Sequence, residues 1–145
     1  MGIELNHTIV TTRDRAEGAR WLADVLGLPA PVAVDPFHAV ELANGVTLDF
    51  MTTTTVAAQH YAFLVGEAEF DEVSARLAGR GIATFADPFH REPGHNTHGG
   101  GRGLYFDSPD GHNLEILTRA PGKSGNTPER AADFALLLQM SRRGS

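Results

Sequence analysis

The sequence predicts an α+β domain built from two βαβββ modules. Three observations predict it. The order strand, helix, strand, strand, strand runs twice along the chain; each helix stops at a glycine; and each opening strand carries a histidine at nearly the same distance from that glycine, His7 from Gly27 and His60 from Gly81.

Taken in order, Ile3 to Thr11 is short, β-branched and bounded by Thr12-Arg13-Asp14, the marks of a first strand. Asp14 starts a helix over Arg13 to Leu26, where Ala16, Ala19, Trp21, Leu22, Val25 and Leu26 recur at helical spacing; Trp21 is expected in the core. Pro31 to Val34, Phe37 to Leu42 and Val46 to Met51 read as strands, the last two joined by Ala43-Asn44-Gly45, where Asn-Gly supplies positive backbone dihedrals for a hairpin turn. His60 to Val65 opens the second module. A helix over Glu67 to Arg80 follows, with Phe70, Val73, Leu77 and Ala78 on one side, and then strands at Ile82 to Phe85, Gly103 to Phe106 and Asn113 to Thr118. The modules span residues 1–54 and 57–119 of one domain covering 1–119. They differ chiefly in a long Gly- and His-rich loop from Ala86 to Arg102, and loops of this length are usually functional. Residues 120–145 read as a Pro-, Gly- and Ser-rich linker and a terminal helix over Glu129 to Met140.

Length and composition bound what such a domain can do. A chain of 145 residues fits one domain, and 41% hydrophobic with 21% charged residues is an ordinary globular composition. A net charge of -6 offers no basic field for phosphate backbones, so nucleic acid is not an expected partner. With no cysteine, any transition metal must use His, Asp or Glu. Neither a secretory signal nor a run of about 18 apolar residues is evident, so a soluble cytoplasmic protein with no membrane partner is expected.

Strand alternation selects candidate site residues. Tyr61, Phe63 and Val65 form a bulky apolar face, which turns His60 to the other side. Leu114 and Ile116 likewise turn Glu115 away from the helix layer, and Leu48 and Phe50 do the same for Asp49. Each module thus supplies one histidine, His7 or His60, and one carboxylate. Two imidazoles and a carboxylate suit iron(II), manganese, zinc or nickel and leave positions open for substrate. In the long loop, His90, Arg91, His95, Asn96, His98 and Arg102 offer cationic or hydrogen-bonding groups, and a lid that meets substrate is the functional expectation. His112 has the opposite parity to Glu115 and is not expected to ligate.

Leu5-Asn6-His7-Thr8, Gln59-His60-Tyr61-Ala62-Phe63 and the closing Tyr105-Phe106-Asp107-Ser108-Pro109-Asp110-Gly111-His112-Asn113-Leu114-Glu115-Ile116 resemble the vicinal oxygen chelate superfamily, the glyoxalase, bleomycin-resistance and extradiol-dioxygenase group. The resemblance covers about Gly2 to Arg119. It implies paired βαβββ modules whose sheets curl around a metal cleft. It implies one divalent ion, Fe, Mn, Zn or Ni, on His7, His60 and Glu115, with Asp49 where glyoxalase I enzymes place a fourth ligand, a Glu. Tyr105 matches a substrate-contacting Tyr of the fosfomycin-resistance proteins and is the second candidate catalytic residue beside Glu115.

The resemblance also implies a chemistry. In this superfamily the metal accepts two neighbouring oxygens of a small substrate and stabilises the negative charge that develops there. Chain length favours the non-oxidative members: isomerase or lyase chemistry through an enediolate, or thiol transfer through an alkoxide with a thiol-containing co-substrate. An extradiol-type iron(II) dioxygenase and a metal-free, bleomycin-type binding protein are the alternatives. A homodimer is expected by analogy and from the amphipathic tail.

Overall fold

The computed structural model describes residues 2–119, and the helix expected over Glu129 to Met140 lies outside them. The chain divides into two compact units, the first ending at Ala58 and the second beginning at Gln59.

The first unit runs β1 (His7–Thr12), α1 (Arg15–Leu26), β2 (Val32–Val34), β3 (Phe37–Glu41) and β4 (Thr47–Thr52). Its strands form one mixed sheet in the order β1-β4-β3-β2, with β1 and β4 parallel. α1 begins where expected, because the Asp14 carboxylate accepts from the Glu17 N–H, satisfying one of the donors a helix start leaves open, and it ends at Gly27. Its Ala19, Leu22, Ala23 and Val25 are buried, as are Val10, Val40, Leu48 and Phe50 on the sheet. Trp21 is only half-buried and flanks this core instead of filling it.

β1 starts four residues later than the sequence predicts. Ile3 and Leu5 are exposed and outside the ladder, so their β-branched and aliphatic character alone did not secure a strand. The turn before β4 also differs: Gly45 takes a positive φ of 84° but Asn44 does not, and Leu42 and Val46 close the hairpin through the Val46 carbonyl.

The second unit runs β5 (His60–Leu64), α2 (Glu67–Gly79), β6 (Gly103–Asp107) and β7 (Asn113–Leu117), its sheet ordered β5-β7-β6 with β5 and β7 parallel. The strand expected over Ile82 to Phe85 shrinks to one residue, Phe85, which bridges Pro93 on one side and on the other exchanges both backbone hydrogen bonds with Tyr105. The segment is diverted because Gly94 N–H donates to the Thr84 carbonyl and Ala86 N–H to that of Glu92, so the long loop takes the pairing a strand would use. Phe85 nevertheless stands beside β6 where β2 stands beside β3, which preserves the repeat. Phe70, Val73 and Leu77 of α2 are buried, with Phe63, Leu104, Phe106, Leu114 and Ile116 on one face of the sheet, whereas Ala78 is exposed. Among the described residues no helix is long and apolar enough to cross a membrane.

Candidate functional site

In both units the parallel strand pair places a histidine and an acid in the same register. His7 lies opposite Thr47 and His60 opposite Asn113; Asp49 and Glu115 each stand two residues further along, on the same face as the histidine. The alternation argument therefore holds in three dimensions: Leu48 and Phe50 are buried on the helix side and Asp49 points the other way, as does Glu115 between Leu114 and Ile116.

In the second unit these residues meet. His60 Nε2 lies 3.2 Å from Glu115 Oε1, and His60 Nδ1 lies 2.9 Å from the Asn113 carbonyl oxygen. Because a carbonyl only accepts, the Nδ1 carries a proton, and the ring directs its Nε2 at a carboxylate oxygen. An imidazole nitrogen and a carboxylate oxygen are thereby held side by side, with Glu115 only 6% exposed. The donor set thus fits a divalent metal of the kind the sequence implies. The ring of Tyr105, buried and directly opposite Glu115 in the ladder, stacks on His60 with centroids 5.9 Å apart.

The turn Ser108-Pro109-Asp110-Gly111 delivers this strand, as its sequence indicates. Gly111 N–H donates to the Ser108 carbonyl, and the Ser108 hydroxyl accepts from the His112 N–H. His112 is buried on the opposite side, where its Nδ1 accepts from the Gln59 N–H and its ring meets Tyr61 edge-on. It thereby aligns β5 with β7. Burial there holds the Tyr61 hydroxyl above its usual pKa.

In the first unit His7 and Asp49 share a face without a hydrogen bond between them. The exposed His7 uses Nδ1 toward Asn6 Oδ1 at 2.8 Å. Among the described residues, no three His, Cys, Asp or Glu side chains are grouped so as to hold a metal ion.

The loop residues divide into two groups. Arg102, expected to meet substrate, is committed to α2: its guanidinium reaches Glu67 Oε2 and, at 2.7 Å, Asp71 Oδ1, and it lies 4.3 Å from the centre of the Phe70 ring. The edge of His95 meets the same Phe70. A hydrogen bond from Thr118 and then the Arg102 guanidinium hold the Glu67 carboxyl below the usual range, and both acids hold Arg102 above its own. Asn96 is a structural brace, donating to the Ala86 carbonyl and accepting from the His98 N–H. Around Gly101 the chain packs so closely on β7 that a Cβ would stand 2.7 Å from Arg119 Cβ.

His90 and Arg91 belong to the other group, next to the site. Asp107 lies across the ladder from Asn113, and its carboxylate is 3.4 Å from His90 Nδ1. The His90 ring lies flat on Phe85, centroids 4.3 Å apart, and Arg91 covers Phe89. Strand parity already sets Asn113 on the face of Glu115. Sequence reasoning did not single out Asp107 or Phe85; parity could have found Asp107, which stands across from Asn113.

The family description Glyoxalase/Bleomycin resistance protein/Dioxygenase superfamily matches residues 4–116. Among solved structures, the protein described as Oxidase ChaP-H1 is 56% identical, over 83% of this chain and 99% of that one, with a TM-score of 0.82. Oxidase ChaP-H2 is 50% identical over 86% and 100%, with a TM-score of 0.81. A lactoylglutathione lyase from Agrobacterium tumefaciens, 17% identical over 79% of this chain and 92% of its own with a TM-score of 0.61, shares the fold. No functionally curated protein matches the chain.

Proposed function

Since the chain belongs to the Glyoxalase/Bleomycin resistance protein/Dioxygenase superfamily, we propose that it is a metal-dependent oxidase that passes electrons from a small oxygenated substrate to dioxygen. The observation that supports the metal is His60 Nε2 standing 3.2 Å from Glu115 Oε1, with His7 as the further nitrogen donor that the motif resemblance implies. Oxidation is favoured by the printed names of the two relatives at 56% and 50% identity. The lyase and fosfomycin-resistance proteins are similar at 17% and 22%, a likeness that speaks for the fold alone.

The protein's part in this chemistry follows from its own residues. The Asn113 carbonyl fixes the His60 tautomer and ring direction, as supporting partners of metal-bound histidines commonly do. Glu115 brings one negative charge that would offset half of a dication's charge in a buried place. Tyr105 covers one side of His60 and keeps water from that flank, which strengthens every charge interaction within. A divalent ion held there supplies Lewis acidity toward two adjacent substrate oxygens and, when it is iron(II), the redox couple that reaction with dioxygen needs.

The test is elemental analysis of chelator-free protein together with oxygen uptake by the iron-loaded chain on catechol-type substrates. About one ion per chain, lost in His60→Ala together with oxygen uptake, is expected. An intact ion with no oxygen consumption would return the reading to isomerase or thiol-transfer chemistry, and no ion after reconstitution would point to a bleomycin-type binding protein.

A further inference from the structure

Asp87 organises the segment that follows it. Its carboxylate accepts from the backbone N–H groups of Phe89, Arg91 and Glu92, and its carbonyl from that of His90. The turn so formed keeps His90 at a φ of 59°, uncommon for a residue with a side chain. Stacked on Phe85 and 3.4 Å from the Asp107 carboxylate, the His90 ring ties the same segment to β6.

One side chain carries this order across to the candidate site. The Asn113 amide lies 3.0 Å from the Pro88 carbonyl, and because that oxygen only accepts, the amide nitrogen faces it and donates. The Asn113 Oδ1 is buried and has no partner, so it is the Pro88 bond that fixes the amide. An apolar side chain of similar volume would avoid burying an unmatched acceptor, which makes the retained amide a feature in need of a reason. The backbone of the same residue supplies one. Its carbonyl oxygen accepts from His60 Nδ1 at 2.9 Å, and its N–H donates to the Gln59 carbonyl at the start of β5. Asn113 therefore holds the loop with its side chain and the imidazole with its backbone.

We infer that Asn113 is a positioning residue for His60, and that its side chain transmits to the imidazole the order Asp87 imposes on residues 87–92. The inference rests on the metal-dependent reading proposed above, in which His60 holds the ion. A hydrogen bond fixes a ring only as firmly as its acceptor is itself fixed. The acceptor here is a peptide of β7 whose own side chain is anchored to Pro88, so loosening the segment frees the amide and, with it, the peptide that aims His60. Supporting partners of metal-bound histidines commonly change metal affinity by about 10–100-fold. The long loop thus acts on the metal site without touching the ion, through two hydrogen bonds made by one residue.

The test is a double-mutant cycle on the full chain, Asp87→Ala against Asn113→Leu, with two readouts. One is zinc affinity. The other is the His60 Nδ1 proton of metal-free protein, its NMR signal assigned by its absence in His60→Ala. The expected result is a slowly exchanging Nδ1 proton in the wild type that is lost in both variants, each of which binds zinc about tenfold or more weakly. The double variant binds zinc as Asn113→Leu does, because the route from Asp87 is already cut. Asn113→Val, a good strand former with no donor for Pro88, repeats the cycle with a different side-chain shape, and melting without metal checks that each chain is folded. Unchanged zinc affinity in a folded Asn113 variant, a His60 proton that persists there, or an Asp87→Ala loss that simply adds to that of Asn113→Leu overturns the inference and leaves the metal site standing. A wild-type chain that takes up no zinc overturns both.

Discussion

At the scale of single residues, the site was legible because strand alternation is a hard geometric rule. A side chain next to a core-facing neighbour takes the opposite face, so Glu115 and His60 could be placed on one side before any coordinates. Backbone partners obey no such rule. Nothing in the residue types says that the Asn113 carbonyl, and not its amide, orients His60. Replacing Glu115 by Gln keeps the volume but offers His60 Nε2 an N–H in place of a lone pair. Metal affinity should fall by more than the roughly 10–100-fold typical for loss of a supporting group, while the melting temperature of metal-free protein is preserved. Dialysis against zinc and a thermal scan with chelator check the two halves of that expectation.

At the scale of elements, helices were located within two residues because Asp14, Gly27 and the apolar spacing act locally. The lost strand at Ile82 to Phe85 failed for a non-local reason: its partners were taken by Glu92 and Gly94, which no window of neighbouring residues reveals. Gly18 tests local against tertiary control. By helix propensity, Gly18→Ala should stabilise α1 by about 1 kcal/mol. A Cβ there would lie 2.5 Å from Thr12 Oγ1 and 3.3 Å from Phe50 Cδ1, so we expect destabilisation of about 1–3 kcal/mol in urea unfolding. The Arg102 clamp makes a second element-scale prediction. The Glu67 carboxyl is depressed in the folded chain, so its contribution is present above the ordinary carboxylate range and disappears as pH falls through the lowered folded value. Wild type should therefore exceed Arg102→Gln in melting temperature at pH 6, with the gap closing toward pH 3. The pair is exposed and the gap small.

At the scale of the molecule, the repeat was the most legible feature, because duplication leaves the same periodicities and stops in both halves. The departures from it lie in residues 86–102, where no counterpart in the first half offers guidance. If His7, His60 and Glu115 act as one ligand set, saturating metal should raise wild-type stability by about 2.7 kcal/mol at a hundred times the dissociation constant and leave the His7→Ala and Glu115→Gln chains unmoved. Calorimetry with and without metal measures this, and a shift that persists in His7→Ala removes that residue from the set. The glycine run at 99–101 has a further consequence. It looks like a flexible hinge, yet around Gly101 it is a close-packed seam that admits no side chain beside Arg119. Evolution, or a mutagenesis library, is thereby steered. Sequence change at this seam breaks the packing, so a library that randomises Gly101 should return folded chains only with glycine there.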